Sequence, residues 1–279
     1  MFLSRIKLRG SNKMGFIFAL SLLFGVCGTL FGMSINQNNK YVHLIRQEGC
    51  VSSWKDIINT NNDLICCPVS PTMDEESICS HNMLGAHFLS SLGGSWILPL
   101  LPLLFSWFVS FDPRFGYWQS NPKVRLQVYL TLMCFRTICL YYGLNELERS
   151  FQHHHHHTTS DCDYKELLPH GNCDSRWNAS DHVMLFWVHH IAIAASELEI
   201  HFPLLFAQTH MKPATSISWT PFVLLTCSIS MAIIAGATFC IFQTAAFFHT
   251  RSETFCAFIF GLSTVIGSKH LQISYYKDN

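Results

Sequence analysis

Two histidines stand at the ends of long apolar stretches, where their side chains suit acid–base and nucleophilic chemistry. His182 lies where a polar stretch enters an apolar run, and His249 lies where another apolar run leaves for a short polar segment. If the two runs cross a membrane in opposite directions, both imidazoles reach the same face. A pair of imidazoles can act as the acid and the nucleophile of phosphoryl transfer on a lipid. The alternative is that both histidines lie at an interface only because their rings are amphipathic.

The composition indicates the class of protein. Hydrophobic residues make up 49% of the 279 residues and charged residues only 13%, whereas a soluble domain carries about a quarter charged residues. We therefore expect an all-α polytopic membrane protein that forms a single domain over residues 1–279. The formal net charge is zero, and zinc-finger spacing and basic clusters are absent from the sequence, so a nucleic-acid partner is not expected.

Hydropathy divides the chain into six stretches long enough, at about 20 residues, to cross a bilayer. These expected spans are residues 14–34, 83–109, 126–146, 182–207, 219–248 and 254–271. Lysine and arginine are densest at the two ends and in the short loops, so the positive-inside rule predicts that both termini are cytosolic. The long loops 35–82 and 147–181 are then lumenal, together with His182 and His249.

The two long loops contain several features of their own. They hold six of the twelve cysteines, which an oxidising lumen would allow to pair, although the sequence leaves the pairing open. Asn178 begins an N-glycosylation sequon so close to the expected membrane surface that we expect it to be unused. The five-histidine tract at residues 153–157 is compatible with metal binding, but a solvated low-complexity loop is favoured.

The fourth expected span carries ionisable side chains that a membrane helix rarely contains. At about 100° per residue, His190, Glu197 and His201 form one stripe, and His189 lies one heptad from His182 on an adjoining stripe. Glu199 belongs to the same span. Such groups usually face the protein interior and carry function. The short-spaced histidine boxes of a di-metal site are missing from the sequence, so no metal site is expected.

Arg136 lies midway along the third expected span. An isolated arginine in hydrocarbon is costly, so it needs a carboxylate or a water-filled cleft. Glu197 and Glu199 are the partners that the sequence offers, and we predict a pair with one of them. Snorkelling to an interface is the alternative, which a position near the centre of the span disfavours.

Two motifs resemble the fat storage-inducing transmembrane (FIT) family of the endoplasmic reticulum. Residues 177–186 are similar to the family's Trp…Asp-Ile-Ser-Gly-His-x-Phe-Leu-Leu, and residues 244–261 are similar to its Thr-Ala-x-Tyr-Phe-His…Phe-Gly-x-Leu-Phe-Gly-Leu. Residues 82–99 and 145–148 look like the family's second span and the end of its third. The resemblance covers most of the chain from the second expected span onward.

The resemblance implies a fold related to the lipid phosphate phosphatases, in which one histidine is the nucleophile and another the acid. It implies an acyl-coenzyme A diphosphatase that cleaves fatty acyl-CoA in the lumen to acyl 4′-phosphopantetheine and adenosine 3′,5′-bisphosphate, with no cofactor. By position, His249 would be the nucleophile and His182 the acid. The resemblance also implies binding of diacylglycerol and triacylglycerol, and support of lipid-droplet formation. The alternative function is a non-catalytic neutral-lipid binder.

One position departs from the family pattern, because Asp181 stands where the family has glycine. Its carboxylate is expected either to repel the incoming diphosphate or to orient an imidazole. Arg251, two residues after His249, is the cation that we assign to the phosphates. Ser180 and Asp181 complete the expected substrate-binding residues.

Overall fold

The computed structural model describes residues 2–36, 41–44, 65–68, 88–109, 121–144, 146, 180–207 and 220–278. Across these residues the backbone is mainly helical, with one short antiparallel pair of strands, β1 (Tyr41–Leu44) and β2 (Ile65–Pro68). The expectations for the histidine tract, for the Asn178 sequon and for disulfides between loop cysteines fall outside what the structure describes.

The helices form six consecutive runs in the part of the chain that the structure describes. Helix α1 is Phe2–Ile35 and α6 is Arg251–Asp278. The four runs between them are compound. They are α2 at residues 93–109 (Gly93–Ile97, Leu98–Leu100, Leu101–Val109), α3 at 122–142 (Pro122–Phe135, Arg136–Tyr142), α4 at 181–207 (Asp181–Leu185, Phe186–Ile191, Ala192–Ala207) and α5 at 220–248 (Thr220–Gln243, Thr244–Phe248).

Three helical segments are long and apolar enough to cross a membrane: Gly15–Ile35, Asp181–Leu205 and Pro221–Ala246. They match the first, fourth and fifth expected spans. Helix α2 contributes a shorter apolar segment, Gly93–Trp107. Helices α3 and α6 occupy the remaining two expected spans but do not qualify by the same measure of length and hydropathy.

Capping residues fix where α3 and α4 begin. The side chain of Asn121 accepts a hydrogen bond from the Val124 N–H at 3.3 Å, and Pro122 occupies the first helical position, where its missing N–H costs nothing. Helix α3 therefore begins four residues before the expected span. As a result Arg125, which we expected in a loop, lies inside the helix and is fully buried.

Helix α4 is the centre of the bundle. Residues 183–200 are all buried, and the helix contacts α1, α2, α3, α5 and α6. Glycines let the neighbours approach Trp187 closely: a Cβ at Gly25 or Gly261 would lie 2.8 or 2.9 Å from its side chain. The indole N–H also faces the Thr29 hydroxyl at 3.4 Å.

One end of the bundle gathers the ends of several helices. Asn36, which follows α1, bonds to backbone carbonyls at the end of α5, and Arg136 of α3 pairs with Asp181 at the start of α4. We call this region, with Ser180, His182 and residues 249–253, the histidine end. The opposite end contains the ion pair between Lys269 of α6 and Glu199 of α4.

Candidate active site

His182 occupies the first turn of α4, and its side chain is exposed at the histidine end. Its ring lies 6.2 Å from the ring of Phe186, one turn further along. The preceding Ser180 is fully buried, and its hydroxyl accepts the Val183 N–H at 3.3 Å as the helix cap. The structure thus presents His182 outward and places Ser180, an expected substrate-binding residue, in the cap beneath it.

His249 lies between the last turn of α5 and the first turn of α6, in extended backbone. Its side chain is 14% exposed, and its Nδ1 atom lies 3.4 Å from the Oε2 atom of Glu253. A carboxylate beside one imidazole nitrogen stabilises the positive charge that appears when the other nitrogen takes up a proton or forms a bond. The Glu253 carboxylate is therefore placed where it would compensate a positive charge on the His249 ring.

The Glu253 carboxylate is itself fixed by the start of α6. It accepts the Thr250 N–H at 2.8 Å, while the Thr250 hydroxyl accepts the Glu253 N–H at 3.4 Å. This reciprocal pair is a capping box. Glu253 is 1% exposed, so capping holds the carboxylate in a buried position facing His249.

The backbone at His249 is held by Asn36. The Asn36 side-chain amide donates to the carbonyls of Ala245 at 2.7 Å and His249 at 2.6 Å. Arg251 in turn donates to the Asn36 carbonyl from Nε at 3.0 Å and from a terminal nitrogen at 2.6 Å. Arg251, expected to bind phosphates, is thus placed where it ties α6 to the end of α1, and sequence reasoning missed Asn36.

The two histidines lie at the same end of the molecule. The first turn of α4, which carries His182, packs against α6 and against the last turn of α5, which His249 follows. Helix α4 runs away from this end and α5 runs toward it. Opposite chain directions therefore bring both imidazoles to one face, as the argument from the sequence required.

Arg136 forms an ion pair with the Asp181 carboxylate and also donates to the Asp181 carbonyl at 3.0 Å. The predicted pairing of Arg136 with Glu197 or Glu199 is wrong. Helices α3 and α4 run antiparallel, which places Arg136 level with the start of α4, whereas Glu197 lies 16 residues, or about 24 Å, further along the helix. The Asp181 carboxylate is therefore paired with the Arg136 guanidinium.

Glu197 belongs to a separate buried network deeper in the bundle. Its two carboxylate oxygens accept from the Arg125 guanidinium and from the Tyr129 hydroxyl, each at 2.7 Å. Arg125 also donates to the Ser106 hydroxyl at 3.0 Å, and His201 Nδ1 lies 3.6 Å from a Glu197 oxygen. Because both charges are fully buried, each depends on the other.

His189 and His190 satisfy backbone carbonyls of α2. His189 bonds to the Ser95 carbonyl at 2.9 Å, and His190 bonds to the Gly94 carbonyl at 3.0 Å. Pro99 lacks the N–H that would meet Ser95 in an α-helix or Gly94 in a π-helix. The two imidazoles replace that donor. Among the described residues no cluster of side chains suits a metal ion.

No family model, curated protein or solved structure matches the chain.

Proposed function

We propose that the chain is an acyl-coenzyme A diphosphatase of the endoplasmic reticulum membrane that supports lipid-droplet formation. One observation carries the proposal: His249 is held against the buried Glu253 carboxylate, while His182 lies exposed at the same end of the bundle. These are the surroundings that a nucleophile and an acid need. The resemblance of both histidine motifs to the FIT family supplies the substrate.

In the proposed reaction, His249 Nε2 attacks one phosphorus atom of the anhydride. The bond from that phosphorus to the bridging oxygen breaks, and His182 donates a proton to the departing phosphate. Water then cleaves the phosphohistidine, which frees His249 and returns a proton to His182. One water is consumed, and the products are acyl 4′-phosphopantetheine and adenosine 3′,5′-bisphosphate.

Phosphoryl transfer depends mainly on positioning and on compensation of charge. Arg136 is the cation next to His182, and its guanidinium is held by the Asp181 carboxylate. The N-terminus of α4 adds a favourable dipole at the same place. We infer that a substrate phosphate displaces the Asp181 carboxylate and pairs with the Arg136 guanidinium. Asp181 then neutralises Arg136 only while no substrate is bound.

The finer topology is part of the proposal. The three candidate spanning segments leave α2, α3 and α6 to complete six spans. The distribution of lysine and arginine supports cytosolic termini, which puts the histidine end in the lumen.

Hydrolysis of oleoyl-CoA by the protein in lipid nanodiscs tests the proposed activity, with both products measured by mass spectrometry. His249→Ala should abolish both products. His270→Ala is the matched control, because His270 is exposed on α6 far from the histidine end and should retain the wild-type rate. Equal rates in wild type and His249→Ala would overturn the assignment.

Neutral-lipid binding without catalysis is the second candidate function. The observation that favours it is a large apolar groove between α1, α4 and α5, which suits hydrocarbon. A protein that retains labelled triacylglycerol and hydrolyses no acyl-CoA would favour this candidate over the enzyme.

A further inference from the structure

The apolar groove runs along the side of α1 and has a volume of about 1390 Å³. Helix α1 lines it from Phe16 to Phe31, and α5 lines it from Met231 to Phe242. The far part of α4 contributes Leu198, Phe202 and Pro203 to the lining.

The lining is suited to hydrocarbon. Phenylalanine is its most frequent residue, and charged side chains are absent from the described lining. The Ser21 hydroxyl already donates to the Ile17 carbonyl at 2.9 Å, and the Thr238 hydroxyl, which has no hydrogen-bond partner among the described residues, is buried. An occupant with unsatisfied polar groups would therefore lose hydrogen bonds on entry, whereas an alkyl chain loses none.

The dimensions fit a single long chain. Phe16 and Phe31 are 15 residues apart, which corresponds to about 22 Å along a helix, roughly the length of an extended chain of 16–18 carbons. A chain that lies along the groove from Phe31 to Phe16 therefore has apolar contacts over about this length.

One end of the groove, at Phe31 and Phe242, lies toward the histidine end. Phe31 and Phe242 stack at its margin with ring centroids 5.5 Å apart. Asn36 lies five residues beyond Phe31, and His249 lies seven residues beyond Phe242, so about 8–10 Å of helix separates the groove from the site. A ligand with a charged head and an alkyl tail can occupy both.

We propose that the groove holds the fatty acyl chain of the acyl-CoA substrate, with the thioester near Phe31 and Phe242. The polar pantetheine arm covers the interval to the histidine end, where the anhydride meets His249. This assignment rests on the proposed diphosphatase function. It makes the groove the determinant of chain length, with chains of about 16–18 carbons filling it.

Ala235 offers a way to shorten the groove without touching the site. It lines the groove and lies seven residues, about 10 Å, from Phe242, which leaves room for about eight carbons. Ala235→Phe should lower kcat/KM for stearoyl-CoA at least roughly tenfold, since loss of two methylene contacts suffices for that. The rate with octanoyl-CoA should stay at the wild-type value.

Ala232→Phe is the matched control. Ala232 is exposed on the same helix and does not belong to the groove lining, so its substitution should leave both substrates unaffected. Equal rates with stearoyl-CoA in both variants would overturn the groove assignment and leave the diphosphatase proposal standing.

A binding measurement separates the groove from catalysis. A stearoyl-CoA analogue with a diazirine at the middle of its chain should cross-link to α1 and α5, and stearoyl-CoA should compete at lower concentrations than octanoyl-CoA. If the protein hydrolyses no acyl-CoA but Ala235→Phe removes the cross-link, the groove assignment stands and the diphosphatase proposal fails. Cross-links elsewhere, unaffected by Ala235→Phe, would reject the groove.

Discussion

The Arg136 guanidinium of α3 pairs with the Asp181 carboxylate of α4, one residue before His182. The arginine side chain is 8% exposed and the aspartate side chain is 35% exposed. The pair therefore lies at the margin of the bundle, buried on the α3 side and open on the other. The Arg136 charge is neutralised by a carboxylate that is itself partly exposed.

Substitution of Asp181 tests whether its carboxylate competes with substrate phosphate for Arg136. Asp181→Asn keeps the shape of the side chain and removes its charge, so Arg136 becomes available to phosphate. We expect the Michaelis constant for oleoyl-CoA to fall about three- to tenfold, the scale of one charge-assisted hydrogen bond. Steady-state kinetics in nanodiscs provide the measurement, with Asp181→Glu as the charge-retaining control. An unchanged or higher Michaelis constant in Asp181→Asn would show that the carboxylate does not compete with substrate for Arg136.

Arg136 should also contribute to stability. Arg136→Leu removes the ion pair and the bond to the Asp181 carbonyl, and we expect a loss of about 1–3 kcal/mol, because the pair is only partly buried. Thermal unfolding of the purified protein measures the change. Glu197→Gln in the Arg136→Leu background should recover nothing, since Glu197 binds Arg125 instead. Recovery by Glu197→Gln would mean that Arg136 and Glu197 interact after all.

The two glutamates of α4 should differ sharply. Glu197→Gln removes the carboxylate from the fully buried Arg125 guanidinium, and we expect a loss of about 3–5 kcal/mol. Glu199→Gln is the matched control. Its partner Lys269 is 22% exposed, so the loss should be about 1 kcal/mol. Denaturation midpoints compare the two variants, and equal shifts would contradict the assigned burial.

His189 and Pro99 should be coupled. His189→Leu removes the donor to the Ser95 carbonyl and should cost about 1–3 kcal/mol. Pro99→Ala restores a backbone N–H that can take over this carbonyl, so the loss in the double variant should be smaller than the sum of the single losses. Thermal unfolding of the four proteins closes the cycle. Additive losses would show that Pro99 does not determine the role of His189.

Hydropathy and residue type predicted part of this structure correctly. The helical class and the candidate spanning segments that include His182 and the residues before His249 follow from long apolar runs. The partner of Arg136 does not follow from the apolar runs, because it depends on how far α3 and α4 are shifted along each other. Arg125 was missed because the charged stretch that follows Pro122 resembles a loop.

The environment of His249 was only partly readable from the sequence. Thr250 and Glu253 have the spacing of a capping box before an apolar run, and that signal would have placed the Glu253 carboxylate one turn from His249. Asn36 gave no such signal. Its role arises because α1 ends beside the turn between α5 and α6, and this arrangement is set by the packing of the whole bundle.

Detection of a covalent intermediate on His249 is the most direct test of its proposed role as the nucleophile. The protein is mixed with oleoyl-CoA, quenched in base within one turnover to preserve phosphohistidine, digested and examined by mass spectrometry. We expect a phosphoryl-linked fragment of the substrate on the peptide that contains His249, and no such fragment in His249→Ala. Hydrolysis of oleoyl-CoA at the wild-type rate by His249→Ala, with no adduct on His249 in the wild-type protein, would contradict this role.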